Sequence, residues 1–445
     1  MKKMMKLTAM LLVLVIVFSM TGCTLSTQDV DEEVVYAKFT IGLPYDAEDA
    51  NWEGIMNMLK DEENGFEFWN DAIVTVVSVP EVGTEEYADF IDDVYSGKVD
   101  MFLSPPSPEL EKLIEEDKIS TNTTMVKQDE RLGEDMIPFY KDLCVESGRL
   151  SYAIPFMGSY QGLFFNTDVF ARAEVEVPTD WASLNTVIAQ LKEKGITPIA
   201  AGFADGARYW LDEMIFSEGG VAEHSAVPAK GIINSWARAV NKIKNLYDAG
   251  AFGASSATDT HDVAVAQFVN EEAAMIVCSS ADLAGKVSTE AVKVMSFPVT
   301  DTGIKDKDSY IGKSEYNFYI NYNSLKEEVD ASTNLSGVMT ELITAFMMEE
   351  TFYVELFEQE GTFPFRASAS ASMDTPLEES AWEIINNANE ADMPMSTYML
   401  TFDNMENGLA DVLLGTATVE DYLSDVTETE LGAQAAKKEE ALKKK

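Results

Sequence analysis

From Ala37 to Glu116 the hydrophobic period switches back and forth between two residues and about 3.6, and this alternation constrains the fold more than any other feature. Ala37, Phe39, Ile41 and Leu43 alternate with Lys38, Thr40 and Gly42, as in a strand with one buried face. Asn51 to Lys60 has helical spacing, Ile73 to Val79 is rich in β-branched residues, and Glu85 to Tyr95 is helical again and closes at Gly97. Val99 to Leu103 is a third strand stopped by Pro105-Pro106, and Pro108 to Glu116 a third helix. Strands separated by helices at this spacing predict a parallel sheet with helical cover.

The same grammar returns after Tyr152. An apolar strand runs into Pro155, a Gly and Ser turn with Tyr160 and Gln161 follows, and the apolar run resumes from Leu163 to Phe165. Asn166 and Asp168 open a short helix, because their side chains accept from the free N–H groups of a first turn. Thr179 is placed to cap a helix with Trp181, Leu184, Val187, Ile188 and Leu191 on one face, closed by Gly195. Ile196 to Ala201 and Ala273 to Cys278 read as strands, Trp236 to Tyr247 and Val263 to Phe268 as helices, giving a second α/β unit from Met157 to Phe297. Beyond Pro298 come the apolar Glu315 to Asn321, a long helix from Ser336 to Glu358, a turn from Gly361 to Arg366, and helices at Ser380 to Asn389, Tyr398 to Leu414 and onward from Val419. A chain of 445 residues exceeds one ordinary core and is expected to form two or three domains.

Composition excludes one class of partner. With 77 Asp and Glu against 32 Lys and Arg, the formal charge of -45 repels phosphate backbones, so no nucleic acid is expected. The first residues depart from this acidity. Lys2, Lys3 and Lys6 precede the apolar run Leu7 to Phe18, shorter than the roughly 20 residues of a membrane-spanning helix, which is the pattern of a secretory signal. Met20-Thr21-Gly22-Cys23 resembles the bacterial lipobox, implying cleavage before Cys23 and its lipidation: residues 1–22 are a leader and 23–34 a polar tether on the outer membrane face. Cys144 and Cys278 are read as small buried apolar residues rather than as an assigned pair.

No catalytic apparatus assembles. The chain has no G-x-S-x-G, phosphate-cradling glycine loop or Cys pair, and His224 and His261 are far apart, without metal-ligand spacing, and read as surface residues. Neither a metal nor a cofactor is expected. Among so many acids a glycosidase dyad remains an alternative, as does a surface adhesin or sensor subunit.

An ordered set of segments resembles the extracellular solute-binding proteins of ATP-driven sugar importers, the family that includes maltose-binding protein. Tyr152-Ala-Ile-Pro155 with Gly162-Leu-Phe-Phe-Asn-Thr-Asp-Val-Phe170 resembles its crossing strand and "YNTDLF" turn. Pro178-Thr-Asp-Trp181 resembles "P-x-TW", Lys194-Gly-Ile-Thr-Pro-Ile-Ala200 resembles "KGxxPxA", and Glu218-Gly-Gly220 follows. Phe268 to Met275 is similar to "F-x-x-G-x-A-A-M" without its glycine, and Gly361 to Arg366 to "G-x-x-P-x-R". The resemblance implies an α/β, periplasmic-binding-protein-like fold of class II: two lobes joined by a multi-crossing hinge and closing on a ligand. It divides the chain into 35–154 with 299–362, and 155–298 with 363–436, leaving 437–445 as a charged tail. It further implies a monomer that captures a carbohydrate, an oligosaccharide by preference, and delivers it to an ABC permease with its ATPase on the inner side.

Sugar recognition needs flat aromatic faces and groups that bond hydroxyls, and in such sheets these sit beyond the carboxyl ends of the strands. Tyr45, Asp46 and Ser104 in the first lobe, and Ser159, Tyr160, Asp205, Tyr209 and Trp210 in the second, are therefore candidates, with Tyr209 and Trp210 as stacking platforms. Tyr160 and Tyr209 could equally pack under a loop, Trp210 could be core, and Asp205 could cap the following helix. Ser279-Ser-Ala-Asp282 stands where the family often has Gly-x-Trp, so Asp282 replaces a stacking contact with a polar one. Phe363 and Arg366 of the late turn complete the set.

Overall fold

The computed structural model describes residues 14–15, 38–44, 52–61, 73–122, 152–224, 233–326, 335–348, 361–364, 374–387, 402–429 and 432. The chain forms two compact units. Unit 1 comprises Met1–Gly158, Ser314–Glu355 and Pro364–Ala369; unit 2 comprises Ser159–Lys313, Leu356–Phe363 and Ser370–Lys445. The expected divisions after residues 154, 298 and 362 compare with divisions here after 158, 313 and 363, and the chain also changes unit after 355 and 369.

Unit 1 opens as its alternation demands: β1 (Lys38–Leu43), α1 (Trp52–Lys60), β2 (Ile73–Ser78), α2 (Glu85–Tyr95), β3 (Met101–Ser104) and α3 (Pro108–Glu115). β1 lies between β2 and β3, parallel to both. Thr84 and Ser107 cap α2 and α3 by accepting from the amides of Tyr87 and Leu110. Tyr87, Phe90 and Val94 of α2 and Leu110 and Leu113 of α3 bury their apolar stripes against Phe102 and Tyr319; the Phe102 and Tyr319 rings stack with centroids 5.4 Å apart.

β4 (Ile154–Asn166) carries the chain from unit 1 into unit 2 as one unbroken 13-residue strand, every residue of it buried. A turn was expected at its centre. The turn-forming residues extend instead and are buried throughout: the Tyr160 amide donates to Ser280 Oγ, and beyond it residues 161–165 pair with β6 (Ala273–Ser279) and 163–166 with β7 (Val292–Met295), both antiparallel. Between these strands lie α4 (Thr167–Ala173), α5 (Trp181–Glu193), β5 (Thr197–Ala200), α6 (Ala207–His224), α7 (Asn234–Asp248) and α8 (His261–Val269), with α9 (Ser280–Leu283) directly after β6. Asn166 caps α4 as expected, accepting from Asp168 and Val169. Asp180, one residue past the expected Thr179, caps α5 in a capping box with Ser183.

β8 (Ile311–Ile320) takes the chain back to unit 1, where its residues 317–320 pair antiparallel with β3. The loop after Pro298 stays on unit 2 because Ser217 and Glu218 bind it, so the crossing falls within β8 rather than at the proline. α10 (Tyr322–Lys326) and α11 (Leu335–Met348) complete the described part of unit 1, with Trp52 of α1 6.0 Å from Phe346. The expected continuation of α11 to Glu358 lies outside the described residues. After the short β9 (Phe363–Pro364), α12 (Pro376–Asn387), α13 (Phe402–Leu414) and a helix at 419–429 belong to unit 2. Leu409, Val412 and Tyr422 join a core built on Trp210, Trp236, Phe203 and Leu191.

Candidate functional site

In unit 2 the carboxyl ends of the parallel strands β5 and β6 emerge side by side. After β5 the chain turns at Gly202, where an added Cβ would lie 2.1 Å from the Thr260 carbonyl oxygen; only glycine lets the turn approach the start of α8 so closely. Phe203 and Ala204 donate their amides to Ser256 and Asp259, and Asp205 Oδ1 accepts from the His261 amide at 2.5 Å. Asp205 therefore ties two loops together instead of capping α6.

After β6, Ser279 and Asp282 form a capping box for α9, with Asp282 Oδ2 3.0 Å from the Ser279 amide. The same carboxylate lies 3.1 Å from His261 Nε2 and is influenced by the nearby Tyr209 hydroxyl. The imidazole stacks on Tyr209 with centroids 4.5 Å apart, and the Arg208 guanidinium lies 4.9 Å from that ring's centroid, with Nη2 3.1 Å from the phenol oxygen. Arg208 Nε is also 3.8 Å from Glu406 Oε1. Burial pushes the Asp282 carboxyl up, but His261, the Tyr209 hydroxyl and the Ser279 amide outweigh it and hold it below the usual carboxylate range. Burial pushes the Tyr209 hydroxyl up. The result is a ridge of partly exposed hydrogen-bonding groups, with side-chain exposures of 16% for His261, 24% for Asp282 and 34% for Arg208.

Three of the sequence candidates, Asp205, Tyr209 and Asp282, thus converge, and they do so on His261. That residue was expected on the surface, without a partner. Its partners come from the turn after β5, from α6 and from α9, so no local spacing announces it. The remaining candidates separate. Trp210 is core, 2% exposed, edge-on to Phe252 at 4.8 Å and to Phe297 at 5.8 Å, and offers no stacking face. Tyr209 is also buried, its ring covered by His261 and Arg208. Tyr160 and Ser159 lie within β4, buried; the Tyr160 amide donates to Ser280 Oγ at 3.1 Å and its ring stacks on Phe164. Ser104, in unit 1, is fully buried, with its hydroxyl 3.1 Å from the Tyr87 hydroxyl, which also reaches Ser107. Tyr45, Asp46, Arg366 and Cys23 lie outside the described residues, and Phe363 is described in its backbone alone. Gly361 ahead of it has φ 63°, and a Cβ there would meet the Ser280 carbonyl oxygen at 2.3 Å, so this turn packs on the start of α9.

His224 was likewise expected on the surface. It is buried, with Nε2 2.7 Å from Asp212 Oδ1. Cys278 is buried as expected, and burial pushes its thiol up; Cys144 lies outside the described residues. Among the described residues no group of three or more His, Cys, Asp or Glu is arranged to hold a metal, and no helix is long and apolar enough to cross a membrane.

Residues 57–331 match the family model of the bacterial extracellular solute-binding proteins. The chain belongs to this family. Its members are receptors rather than enzymes, and work outside the cell. No curated protein matches this solute-binding protein by sequence. Solved structures similar to it include a probable secreted solute-binding lipoprotein from Streptomyces coelicolor, 15% identical over 89% of this chain and 99% of that one, with a TM-score of 0.67. A chitin oligosaccharide binding protein is 16% identical over 90% and 99%, with a TM-score of 0.59. A sugar transporter protein from Arthrobacter chlorophenolicus with bound laminaribiose is 17% identical over 90% and 99%, with a TM-score of 0.57. At these identities the likeness is one of fold: two α/β units of the periplasmic-binding-protein type.

Proposed function

We propose that this solute-binding protein is the carbohydrate receptor of an ABC importer, and that Asp205, Arg208, His261 and Asp282 make the polar contacts to the sugar from unit 2. The observation that carries this reading is the ridge at the ends of β5 and β6, where carboxylate, imidazole and guanidinium stand together and partly exposed. Each sugar hydroxyl both donates and accepts, and a rigid set of fixed acceptors beside fixed donors suits it. The ridge is pre-organised: Asp205 and Asp282 accept from backbone amides, Arg208 donates to the Tyr209 hydroxyl and the imidazole stacks on Tyr209, so little side-chain freedom remains to be lost on binding. Similar proteins crystallised with laminaribiose or described as binding chitin oligosaccharides support an oligosaccharide. The site as first drawn loses its tryptophan platform and gains a histidine, which favours hydrogen bonding over stacking in this unit.

In the same reading the protein is a monomer held to the outer membrane face by a lipid on Cys23, and it hands its sugar to a permease driven by an ATPase. A thermal-shift screen of mono- and oligosaccharides tests the ligand class. A sugar present at 100 times its dissociation constant adds about 2.7 kcal/mol of stability, and a panel in which none raises the melting temperature removes the proposal. Cys23→Ala tests the anchor: the variant is released to the medium, and retention on cells at the parent's level rejects lipidation.

A further inference from the structure

Glu213 lies on α6 with its side chain fully buried, and neither of its carboxylate oxygens has a hydrogen bond. The nearest cation is Lys305, with Nζ 3.8 Å from Oε2 and both side chains closed to solvent. That is longer than the 2.7–2.9 Å of a charge-assisted hydrogen bond. The Lys305 ammonium instead donates to the Phe297 carbonyl at 2.9 Å and sits 5.1 Å from the centre of the Phe216 ring. The other charged groups facing Glu213 are Asp212 and His224 of its own helix, with His224 Nε2 2.7 Å from Asp212 Oδ1 and His224 Nδ1 buried without a hydrogen bond. From β4 the neutral Gln161 reaches Asp212, with Nε2 3.5 Å from Oδ2. Asp306 acts on Lys305 from the loop itself.

Lys305 belongs to the segment from Pro298 to Tyr310, which leads into β8 and so out of unit 2. That segment is seated on α6 by the Ser217 carbonyl, which accepts from the Ile304 amide at 2.8 Å, and by Thr300 and Thr302, which bond Glu218. We propose that Glu213 and Lys305 form a proton-operated latch on this loop, seating it on α6 when Glu213 carries a proton and loosening it when Glu213 ionises. An ionised carboxylate without hydrogen bonds is expensive to hold in an apolar interior. Lifting the loop that carries Lys305 lets water reach it. The latch goes beyond the carbohydrate reading and does not depend on it.

The direction follows from linkage. Burial pushes Glu213 up to about 7 from its ordinary 4.5, against the attraction of Lys305. The seated loop therefore holds a proton that the lifted loop releases, and the seated state loses stability as pH rises from about 4.5 to about 7, then levels off. Lys305, which burial lowers from 10.5, acts with the opposite sign in its own range.

Hydrogen exchange of peptides covering 298–310 in the full chain, each rate divided by the intrinsic chemical rate, tests the latch. Protection is expected to fall by up to roughly tenfold per pH unit between about pH 5 and 7 and to stay level above. Glu213→Gln is expected to remove the slope and keep the parent's acid-side protection at every pH. A flat parent profile, or the parent's slope surviving in Glu213→Gln, overturns the proposal. Should that variant not fold, infrared spectra of the parent decide: a buried carboxylic-acid band that titrates away near neutrality supports the latch, and its absence at acid pH sinks it.

Discussion

Glu271 holds a left-handed backbone conformation, with φ 59°, while its carboxylate lies 2.5 Å from the Arg172 guanidinium. This is the position at which the resembling motif "F-x-x-G-x-A-A-M" has glycine, and it is the turn between α8 and β6. An L side chain at such φ costs about 1 kcal/mol, whereas an exposed ion pair returns roughly 0.2–1 kcal/mol. Glu271→Gly is therefore expected to be neutral or stabilising by a few tenths of a kcal/mol, and Glu271→Ala, which loses the pair and keeps the strain, to be worse than both. Urea unfolding of the three proteins checks the order; a glycine variant less stable than the alanine one contradicts it.

Trp210 was expected to stack on a sugar; it fills the centre of the unit 2 core instead. Trp210→Ala should cost about 3–5 kcal/mol and lower the denaturant midpoint, whatever happens to binding. Trp210→Phe keeps most of the apolar contact and should cost distinctly less. A Trp210→Ala variant with parental stability would return this residue to the candidate site.

How far the sequence could be read depends on the range of the interactions involved. Periodicity reports which face of an element is buried, and it placed α2, α3, α5 and β6 to within a residue or two, because each has one apolar face. It failed in β4, where every residue is buried and the turn-like Gly158-Ser159-Tyr160-Gln161 has nowhere exposed to bend. The site divided in the same way. Asp205 was singled out because strand ends mark the edge of an α/β sheet, and Asp282 because it stands where the resembling family often has Gly-x-Trp. His261 was not, since its partners Asp205, Tyr209 and Asp282 come from elsewhere in the sequence and only the packing of two turns through Gly202 brings them together. The buried acids 212, 213 and 218 were hidden among many exposed ones, which charge counting cannot separate.

The convergence on His261 gives a test of the candidate site. Asp282→Asn preserves shape but removes the charge that His261 and the Tyr209 hydroxyl address. A hydrogen bond to a charged group contributes about 1.5–3 kcal/mol, so affinity for any saccharide found by screening should fall roughly 10- to 150-fold. Stability should drop by about 1 kcal/mol or less, since the lost cap serves a single short helix. Isothermal titration beside urea unfolding separates the two effects. Unchanged affinity in Asp282→Asn and in His261→Ala would remove the ridge from the binding surface.

Glu218 provides a contrast to Glu213 five residues earlier on the same helix. Its side chain is just as buried, yet it accepts from Thr300, from Thr302 at 2.8 Å and from Arg238 at 2.7 Å, with Lys242 3.6 Å away. Burial pushes its carboxyl up, and these partners outweigh it, so the group is held below its ordinary 4.5. A carboxyl lowered on folding contributes stability that is present above the unfolded value and is lost as pH falls through the folded one. Removing one partner of a buried ionic network costs about 3–5 kcal/mol. Glu218→Gln, which keeps shape and one acceptor, should thus be destabilised by about 3 kcal/mol at neutral pH, while in acid, at a pH below the lowered folded-state value, its stability should approach the parent's. Urea midpoints of the two proteins at both pH values measure this directly. A stability gap of equal size at neutral and acid pH would mean that Glu218 acts through packing and not through its charge.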